Sequence, residues 1–207
     1  MSMSDFEKKQ QSLIFAGQSL YAKGMVPATS GNFSAKMGDG NISITVSGAH
    51  KGRLVESDIM QIDIDGNSLD GKKPSAETLL HTQIYQQRSN IGVVLHPHSV
   101  NSTVLSHVMK SDEQTLVLQN YELLKAFPGI DSHECRVEVP VLDNDQNIQR
   151  LAANLTPYFQ SNPMMIGYLI RGHGFYTWGE TMDDALRHVE AFEFLFECEL
   201  QLRRLGH

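Results

Sequence analysis

Two short apolar runs constrain the fold of this 207-residue chain more than any other feature. They cover residues 91–95 and 164–170, which is long enough for a buried strand and short for a helix. Around them lie segments with helical periodicity and segments with strand-like alternation, and the two types do not alternate strictly. Several predicted strands are separated only by turns. The pattern predicts one α/β domain over residues 1–207, with a largely antiparallel or mixed sheet between helices.

Capping and turn residues predict the limits of the other elements. Ser4 and Glu7 are spaced as a capping box that would begin the first helix, and Gly24 is suited to end it. Strands are predicted near 42–46, 60–64, 137–142 and 175–178, helices over 75–87, 99–108, 146–160 and 181–205, and a strand followed by a helix over 114–126. Residues 26–36, VPATSGNFSAK, contain turn formers and small polar side chains, so no strand is predicted there, and residues 29–32 are interpreted as a loop.

The net charge of −7 and the absence of a basic run argue against a nucleic-acid partner. A negatively charged protein still binds a phosphorylated metabolite if the positive potential is local. The N-terminus is polar, no apolar run reaches 18 residues, and the two cysteines, Cys135 and Cys198, lie outside any CxxC pattern. We therefore expect a cytoplasmic protein without a membrane segment or a disulfide.

Three histidines follow the two apolar strands and form the strongest candidate site. His96 and His98 are two apart at the end of the first strand, where extended backbone directs both side chains to one face. Such a pair alone is more often structural, because the pattern is short and common. His173 follows the second strand between Gly172 and Gly174, which permit close backbone approach. Three neutral imidazoles with an open position are typical of a catalytic zinc centre, and iron, manganese and cobalt accept similar ligands.

Small polar residues at three places predict a phosphate site. Backbone N–H groups beside glycine, hydroxyl groups and helix N-termini bind phosphate, and a nearby Lys or Arg adds charge. The candidate residues are Thr29, Ser30, Gly31, Asn32, Thr45, Ser47, Gly48, Lys51, Arg53 and Ser75. Each segment alone is more often only a turn or a helix cap, so the prediction depends on their combination with a metal site.

Two glutamates are candidates for the general acid–base group. Glu77 lies in the first turn of the helix predicted over 75–87, and Glu122 lies in the sequence QNYELLKAF. Either would serve, because enolisation needs a carboxylate near the carbon acid, and spacing alone does not choose between them. His50 could touch a substrate through the loop that it shares with Lys51. The remaining histidines, His81, His107, His133 and His188, are interpreted as structural.

Five motifs, in this order and spacing, resemble the class II aldolase and adducin family: TSGNFS, ITVSGAHKGRL, PSAETLLH, LHPHSV and RGHGFYTWG. The resemblance spans about residues 10–205, and the combination is specific although each motif alone is not. It implies a three-layer α/β/α sandwich with a mostly antiparallel central sheet, assembled as a homotetramer. One departure is Pro97, which stands between the paired histidines where the family usually carries Thr.

The resemblance also implies roles for individual residues. It implies that His96, His98 and His173 hold one zinc ion per subunit. It implies that Gly31, Asn32, Thr45, Ser47, Gly48 and Ser75 surround the phosphate of a small phosphorylated keto-sugar. The acid–base carboxylate corresponds to Glu122 in the family's dehydratases and to Glu77 in its aldolases.

The motifs are most similar to those of the dehydratases of methionine salvage. The implied activity is therefore zinc-dependent dehydration of a keto-sugar phosphate, with Glu122 ranked before Glu77 as the acid–base group. An aldolase or an epimerase on the same scaffold is the alternative, and Glu77 fits that chemistry. Non-catalytic cytoskeletal members of the superfamily would be marked by loss of the metal histidines, and this chain has all three.

Overall fold

Residues 2–206 are described by a computed structural model, and within them the chain forms five α-helices and eight strands. The helices are α1 (Asp5–Ala22), α2 (Thr78–Gln87), α3 (Val100–Val108), α4 (Ile148–Ser161) and α5 (Met182–Arg204). The strands are β1 (Asn32–Lys36), β2 (Ile42–Thr45), β3 (Ile59–Ile62), β4 (Val93–His96), β5 (Thr115–Gln119), β6 (Arg136–Leu142), β7 (Gly167–Ile170) and β8 (Gly174–Gly179). Across this range, no helix combines the length and the apolar character needed to cross a membrane.

The eight strands form one sheet in the order β3-β2-β1-β4-β8-β7-β6-β5. Every neighbouring pair is antiparallel except β6 and β7, which are parallel. The two apolar runs of the sequence become β4 and β7, and β8 lies between them and pairs with both. The predicted α/β fold with a mostly antiparallel sheet is confirmed, and its topology places the ends of β4 and β7 close together.

Helices cover both faces of the sheet. On one face α1, α3 and α5 bury apolar residues, among them Leu13, Leu105 and Phe192. On the other face α2 and α4 bury residues such as Leu80 and Leu155. Each such side chain contributes about 1.5–3 kcal/mol relative to exposure to water. The two apolar layers therefore hold the sheet in the three-layer sandwich that the sequence predicts.

The predicted start of the first helix is confirmed. Ser4 Oγ accepts a hydrogen bond from the Glu7 amide at 3.2 Å, and Glu7 Oε2 accepts one from the Ser4 amide at 2.6 Å. The helix ends at Ala22, and Gly24 follows with a φ of +75°, a left-handed conformation that glycine adopts without strain. Satisfying the first amides of α1 fixes where this helix begins against the sheet.

The sequence predicts no strand within residues 26–36, yet the second half of this segment is β1, a central strand. Phe33 and Ala35 face one apolar layer. Asn32 and Ser34 point to the opposite face, where both are buried and hydrogen-bonded. A strand is normally recognised by apolar residues at its buried positions, and here polar residues occupy some of those positions.

Two predicted helices also differ from the structure. The helix expected from Ser75 begins at Thr78, and Ser75 instead lies in a turn whose carbonyl accepts the Thr78 amide at 3.1 Å. The helix expected at the end of 114–126 is a 3₁₀ helix over Glu122–Ala126. Five residues make too few bonds to sustain an α-helix by themselves, so the tighter form is the expected result.

Candidate metal centre

Three histidines and one glutamate meet at one end of the sheet. His96 is the last residue of β4, His98 follows two residues later, and His173 lies in the turn between β7 and β8. Glu77 directly precedes α2 and approaches from the helical layer. One possible ligand atom from each of the four residues lies within 4.8 Å of all the others. The pairing of β8 with both β4 and β7 explains why residues 75 positions apart in the chain converge.

The four side chains are in direct contact. The Nε2 atoms of His96 and His98 are 2.8 Å apart. Glu77 Oε2 lies 3.4 Å from His96 Nε2, and Glu77 Oε1 lies 3.3 Å from His173 Nε2. The His173 ring meets the other two imidazoles edge-on, at centroid distances of 5.1 and 4.4 Å. The three Nε2 atoms therefore surround a common region beside the carboxylate.

The backbone fixes the protonation of the His96 ring. His96 Nδ1 lies 2.8 Å from the carbonyl oxygen of Phe175, so Nδ1 carries the proton and donates it. The Nε2 lone pair then points at the cluster. Burial lowers the pKa of His96 well below its ordinary value and lowers the pKa of His98 to about 2, and the neighbouring imidazoles add to both effects. Both rings are neutral at physiological pH, which is the form that binds a metal.

This donor set fits a divalent metal ion. Two imidazole nitrogens lie 2.8 Å apart, and a carboxylate oxygen lies 3.4 Å from one of them, so several ligand atoms converge on one region. A cation held by the same atoms would neutralise the carboxylate. Imidazole nitrogens with a carboxylate oxygen suit zinc and several other first-row metals.

Several groups hold Glu77 against the histidines. Asn32 Nδ2 donates to Glu77 Oε2 at 2.6 Å, and the Tyr176 hydroxyl donates to the same oxygen at 3.3 Å. The Tyr176 ring stacks on the His96 ring, with centroids 3.9 Å apart and planes 9° from parallel. Only 16% of the Glu77 side chain is exposed. The protomer therefore brings this candidate carboxylate, which the sequence ranked second, directly to the cluster.

Glu122 has a different environment. It is the first residue of the 3₁₀ helix after β5, and 73% of its side chain is exposed. Its oxygens lie 2.6 Å from Lys125 Nζ and 4.0 Å from His133 Nδ1. β5 is an edge strand four steps from β4, which corresponds to about 19 Å across the sheet. Within its own protomer Glu122 is thus remote from the cluster, and its catalytic role stays a prediction.

The first group of phosphate candidates lies directly against the histidine strand. Gly31 has a φ of +75°, and a Cβ there would lie 2.6 Å from the His96 carbonyl oxygen, so only glycine fits. Asn32, the next residue, pairs with His96 in the β1–β4 ladder. Ser30 Oγ donates to the Pro27 carbonyl at 2.7 Å and stabilises the turn before the strand.

The other phosphate candidates differ in accessibility. Thr45 is buried, and its hydroxyl accepts a backbone N–H bond from β1 at 3.2 Å. Ser75 is partly buried, and its hydroxyl accepts the Glu77 amide at 3.3 Å. Ser47 and Gly48 are exposed in the turn after β2. These positions stay predictions, and the exposed turn is the part most open to a ligand.

Lys51 is buried beneath two of these loops, with 1% of the residue exposed. Its ammonium donates to the carbonyls of Thr29 at 3.3 Å and Ala49 at 2.6 Å, and it therefore ties the two loops together. Burial lowers the pKa of Lys51 from 10.5 to about 8, and the negative charges of Asp58 and Glu77 partly oppose this shift. Arg53, by contrast, is exposed.

Sequence reasoning missed two side chains around Glu77. Tyr176 was placed only in a strand, and its hydroxyl contacts the carboxylate. His81 was interpreted as structural, and its Nε2 is hydrogen-bonded to Asn32 Oδ1. The signal for His81 was its spacing, because residues four apart share a face of a helix and Glu77 precedes it by four.

The remaining histidines lie in other surroundings. His50 packs edge-on against Tyr21, with ring centroids 4.8 Å apart. His188 is buried, and its Nδ1 lies 2.7 Å from the Trp178 carbonyl oxygen. His107 is exposed on α3. None of these three contributes an atom to the group of possible metal ligands found within residues 2–206.

Comparisons with known proteins give consistent results. A family model of the class II aldolase and adducin N-terminal domain matches residues 11–200. The chain is 58% identical over 194 residues to methylthioribulose-1-phosphate dehydratase of Azotobacter vinelandii, covering 93% of each protein. It is 58% identical over 201 residues to the enzyme of the same name from Pseudomonas paraeruginosa, covering 97% of each.

Solved structures show the same architecture. YgbL from Klebsiella pneumoniae superposes with a TM-score of 0.82 at 23% identity, covering 97% of this chain and 92% of YgbL. An L-fuculose 1-phosphate aldolase superposes with a TM-score of 0.80 at 24% identity, covering 100% of this chain and 90% of the aldolase. At these identities the likeness establishes the fold alone.

Proposed function

The chain belongs to the class II aldolase and adducin family, and we propose that it is a metal-dependent hydro-lyase that converts 5-methylthioribulose 1-phosphate to 2,3-diketo-5-methylthiopentyl 1-phosphate in methionine salvage. The observation that carries the proposal is the convergence of three imidazoles and a carboxylate within 4.8 Å of one another, in a chain 58% identical to dehydratases of that name. Such a cluster in a chain so similar over nearly its whole length supports catalysis rather than a purely structural role.

His96, His98 and His173 would hold the metal, and we propose one zinc ion per subunit. When bound, the metal supplies Lewis-acid polarisation of a substrate carbonyl, which makes the neighbouring C–H bond more acidic. The protein's own contribution is orientation: Phe175 O holds His96 in the tautomer whose Nε2 faces the cluster.

The net reaction removes the C3 proton and the C4 hydroxyl of the substrate. A carboxylate accepts the C3 proton, the C4–O bond breaks, and the departing hydroxyl takes up a proton and leaves as water. The C3 enol that remains ketonises to the diketone. Glu77 is the carboxylate that this protomer holds beside the histidines, and its Oε1 is the oxygen nearer to His173.

We retain Glu122 as the preferred acid–base group for loss of the C4 hydroxyl, and we propose that it acts on the site of a neighbouring subunit in a homotetramer. Its exposure and its position at the far edge of the sheet support an action outside its own protomer. Leu123, beside it, is 37% exposed, and Val100, two residues after His98, is 69% exposed. Exposed apolar side chains at both places are suited to contact between subunits.

The phosphate of the substrate would bind at the loops beside the metal. Ser30, Gly31 and Asn32 would line one side, Thr45, Ser47 and Gly48 a second, and Ser75 a third. Lys51 would add positive charge, because its ammonium lies beneath two of these loops and, within residues 2–206, carbonyls accept from two of its three N–H donors. Anchoring the phosphate lets binding energy remote from the reaction position C3 and C4. The free cysteines Cys135 and Cys198 agree with a cytoplasmic location, which we also propose.

A sugar-phosphate aldolase or epimerase is the second candidate function. Glu77 beside the histidines favours it, because the sequence resemblance associates that position with aldolase chemistry. The same metal and phosphate sites would then make or break the C3–C4 bond instead of expelling water.

The first experiment incubates metal-loaded protein with 5-methylthioribulose 1-phosphate and follows the diketone. We expect turnover that a chelator abolishes and that restored metal recovers. Glu122→Gln should lower kcat by at least about a hundredfold. Glu138→Gln is the matched control, because Glu138 is likewise an exposed carboxylate paired with a cation, and it should behave as wild type.

An aldolase would give a different result in the same experiment. If the substrate is unchanged but a simpler ketose phosphate is cleaved to dihydroxyacetone phosphate, the aldolase proposal replaces the dehydratase. Glu77→Gln then becomes the decisive variant.

A further inference from the structure

A chain of hydrogen-bonded, buried polar side chains lies between β1 and α2 and ends at Glu77. Asn32 and Ser34 are two apart on one face of β1, while Glu77, directly before α2, and His81 and Tyr85 within α2 are spaced by four. Side chains from β1 and from the α2 side therefore alternate along the row. Asn32, Ser34, His81 and Tyr85 are all at most 5% exposed.

The contacts between these side chains form one continuous chain of hydrogen bonds. The Tyr85 hydroxyl is 2.8 Å from Ser34 Oγ, and Ser34 Oγ is 2.7 Å from His81 Nδ1. His81 Nε2 is bonded to Asn32 Oδ1. Asn32 Nδ2 is 2.6 Å from Glu77 Oε2, where the chain ends.

The direction of every proton in this chain follows from its last member. The Glu77 carboxylate only accepts, so the Asn32 amide presents Nδ2 to it and Oδ1 to His81. Asn32 Oδ1 can also only accept a hydrogen bond, so His81 Nε2 carries the ring proton and His81 Nδ1 is unprotonated. Nδ1 then accepts from Ser34, and the Ser34 oxygen accepts from Tyr85. All four protons point toward Glu77.

Burial prevents the chain from reversing. A reversed chain would place a bare His81 Nε2 against the acceptor Asn32 Oδ1, unless the ring carried a second proton. Complete burial lowers the pKa of His81 to about 3, against the opposing pull of the Glu77 charge, so a second proton is excluded at physiological pH.

The chain makes the two oxygens of Glu77 unequal. Oε2 accepts from Asn32 Nδ2 and from the Tyr176 hydroxyl. Oε1 takes part in neither bond and faces His173 Nε2 at 3.3 Å. An oxygen with two fixed donors is a weaker base than one whose lone pairs are free.

We propose that Tyr85, Ser34 and His81 form a hydrogen-bond chain of fixed polarity that acts through Asn32 to hold Glu77 Oε2, leaving Oε1 as the oxygen that exchanges protons with the substrate. Its catalytic consequence rests on the proposed function, whereas the polarity of the chain does not. Tyr85, Ser34 and His81 are positioning residues, since each acts on the carboxylate through another side chain.

The polarity is tested by ¹⁵N–¹H correlation spectra of the zinc-loaded protein with ¹⁵N-labelled histidine, using His81→Gln to assign the ring. We expect His81 to be protonated at Nε2 and bare at Nδ1. In Ser34→Ala, the Nδ1 resonance should move toward that of an unbonded ring nitrogen while Nε2 remains protonated. A His81 ring protonated at Nδ1, or at both nitrogens, would overturn the proposal.

The positioning role is tested by kinetics with a matched control. Ser34→Ala should lower kcat up to about tenfold with KM and bound metal unchanged, and Tyr85→Phe, one step further out, should have a smaller effect. Ser43→Ala removes the same atom from an equally buried serine on the adjacent strand, whose hydroxyl has no hydrogen-bond partner within residues 2–206, and should leave kcat unchanged. An unchanged kcat in Ser34→Ala, or an equal loss in Ser43→Ala, would count against the role. If wild type fails to dehydrate the substrate, the proposed function fails and the spectra still decide the polarity.

Discussion

Glu77 and Glu122 belong to one chain and are candidates for one chemical task, yet their surroundings are opposite. Glu77 is 16% exposed and is contacted from β1, β4 and β8 as well as from the turn before β8. Glu122 is 73% exposed, and the ion pairs that it makes within residues 2–206 are with two other partly exposed residues, Lys125 and His133. Contacts from three strands and a turn hold the first carboxylate in position, whereas the second lies at the surface in exposed ion pairs.

The difference shows which part of the proposed site a single chain can complete. The candidate metal ligands, Glu77 and its hydrogen-bond chain come from neighbouring strands, the turn before β8 and α2 with the residue before it. Glu122 would complete the site only if another copy of the chain placed its edge strand beside them. The comparison therefore predicts different behaviour when variants are mixed.

The largest effect is expected from complementation between inactive subunits. Tetramers assembled from His173→Ala and Glu122→Gln chains should regain at least about a hundredfold activity over either parent, because intact histidines of one chain meet an intact Glu122 of the other. Mixed assemblies, purified through two different affinity tags after co-expression, would be assayed for diketone formation.

The matched mixture combines His173→Ala with Glu77→Gln chains. It should stay inactive, because Glu77 and His173 of one protomer contact each other and no chain in the mixture has both. Recovery in both mixtures would mean that Glu77 also works across subunits. If neither mixture recovered activity, Glu122 would not act on the site of a neighbouring subunit.

The second prediction concerns Lys51, the buried cation on the Glu77 side. Its pKa is lowered from 10.5 to about 8 in the folded protein, so the folded state loses this proton at lower pH than the unfolded state. Stability gained from the shift is therefore absent below pH 8 and rises as the pH increases to 10.5. The free energy of unfolding of wild type relative to Lys51→Met should increase by roughly 3 kcal/mol over this window.

Urea denaturation at several pH values measures the difference between the two proteins. Lys125→Met is the control on the Glu122 side, where the ammonium is exposed, and at pH 7.5 it should leave the urea midpoint unchanged. If the difference in unfolding free energy between wild type and Lys51→Met did not change with pH, burial would not lower the pKa of Lys51.

Much of the fold could be predicted from the sequence, because most elements carry local signals. The runs at 91–95 and 164–170 became β4 and β7, and the capping box at Ser4 begins α1. β1 was missed because Asn32 and Ser34 face a buried polar ladder, so the usual alternation of apolar and exposed polar residues was absent. The polar character of Asn32 and Ser34 is explained by their hydrogen bonds to Glu77 and His81, which are visible once α2 is packed against β1.

The candidate site was predictable to a more limited extent. The i, i+2 spacing put His96 and His98 on one face, and their Nε2 atoms are 2.8 Å apart. Spacing could not rank Glu77 against Glu122, because their distances from the histidines depend on strand order rather than on sequence separation. For the same reason the Tyr176 contact with Glu77 appears only once β8 is placed beside β4.

The Tyr176 hydroxyl is one of the two donors to Glu77 Oε2, and it can be removed without removing the ring. Tyr176→Phe keeps the ring that stacks on His96 and deletes the hydroxyl, so metal content should be unchanged and kcat should fall by about three- to tenfold. Tyr168→Phe is the control, because that hydroxyl is buried without a partner within residues 2–206. Steady-state kinetics with metal analysis distinguishes the two, and equal losses in both variants would assign the effect to ring packing.

The smallest effect is expected when stability, rather than turnover, of Glu122→Gln is measured. Its oxygens make exposed ion pairs with Lys125 and His133, and such pairs contribute little because water screens them. The thermal midpoint and the bound metal should therefore match wild type, whereas Glu77→Gln should weaken metal binding, since it removes a charge beside the histidines. A clear loss of stability in Glu122→Gln would indicate a structural contact. An unchanged midpoint combined with a large loss of kcat would instead mean that this carboxylate, which its own protomer does not need for folding, acts on the substrate.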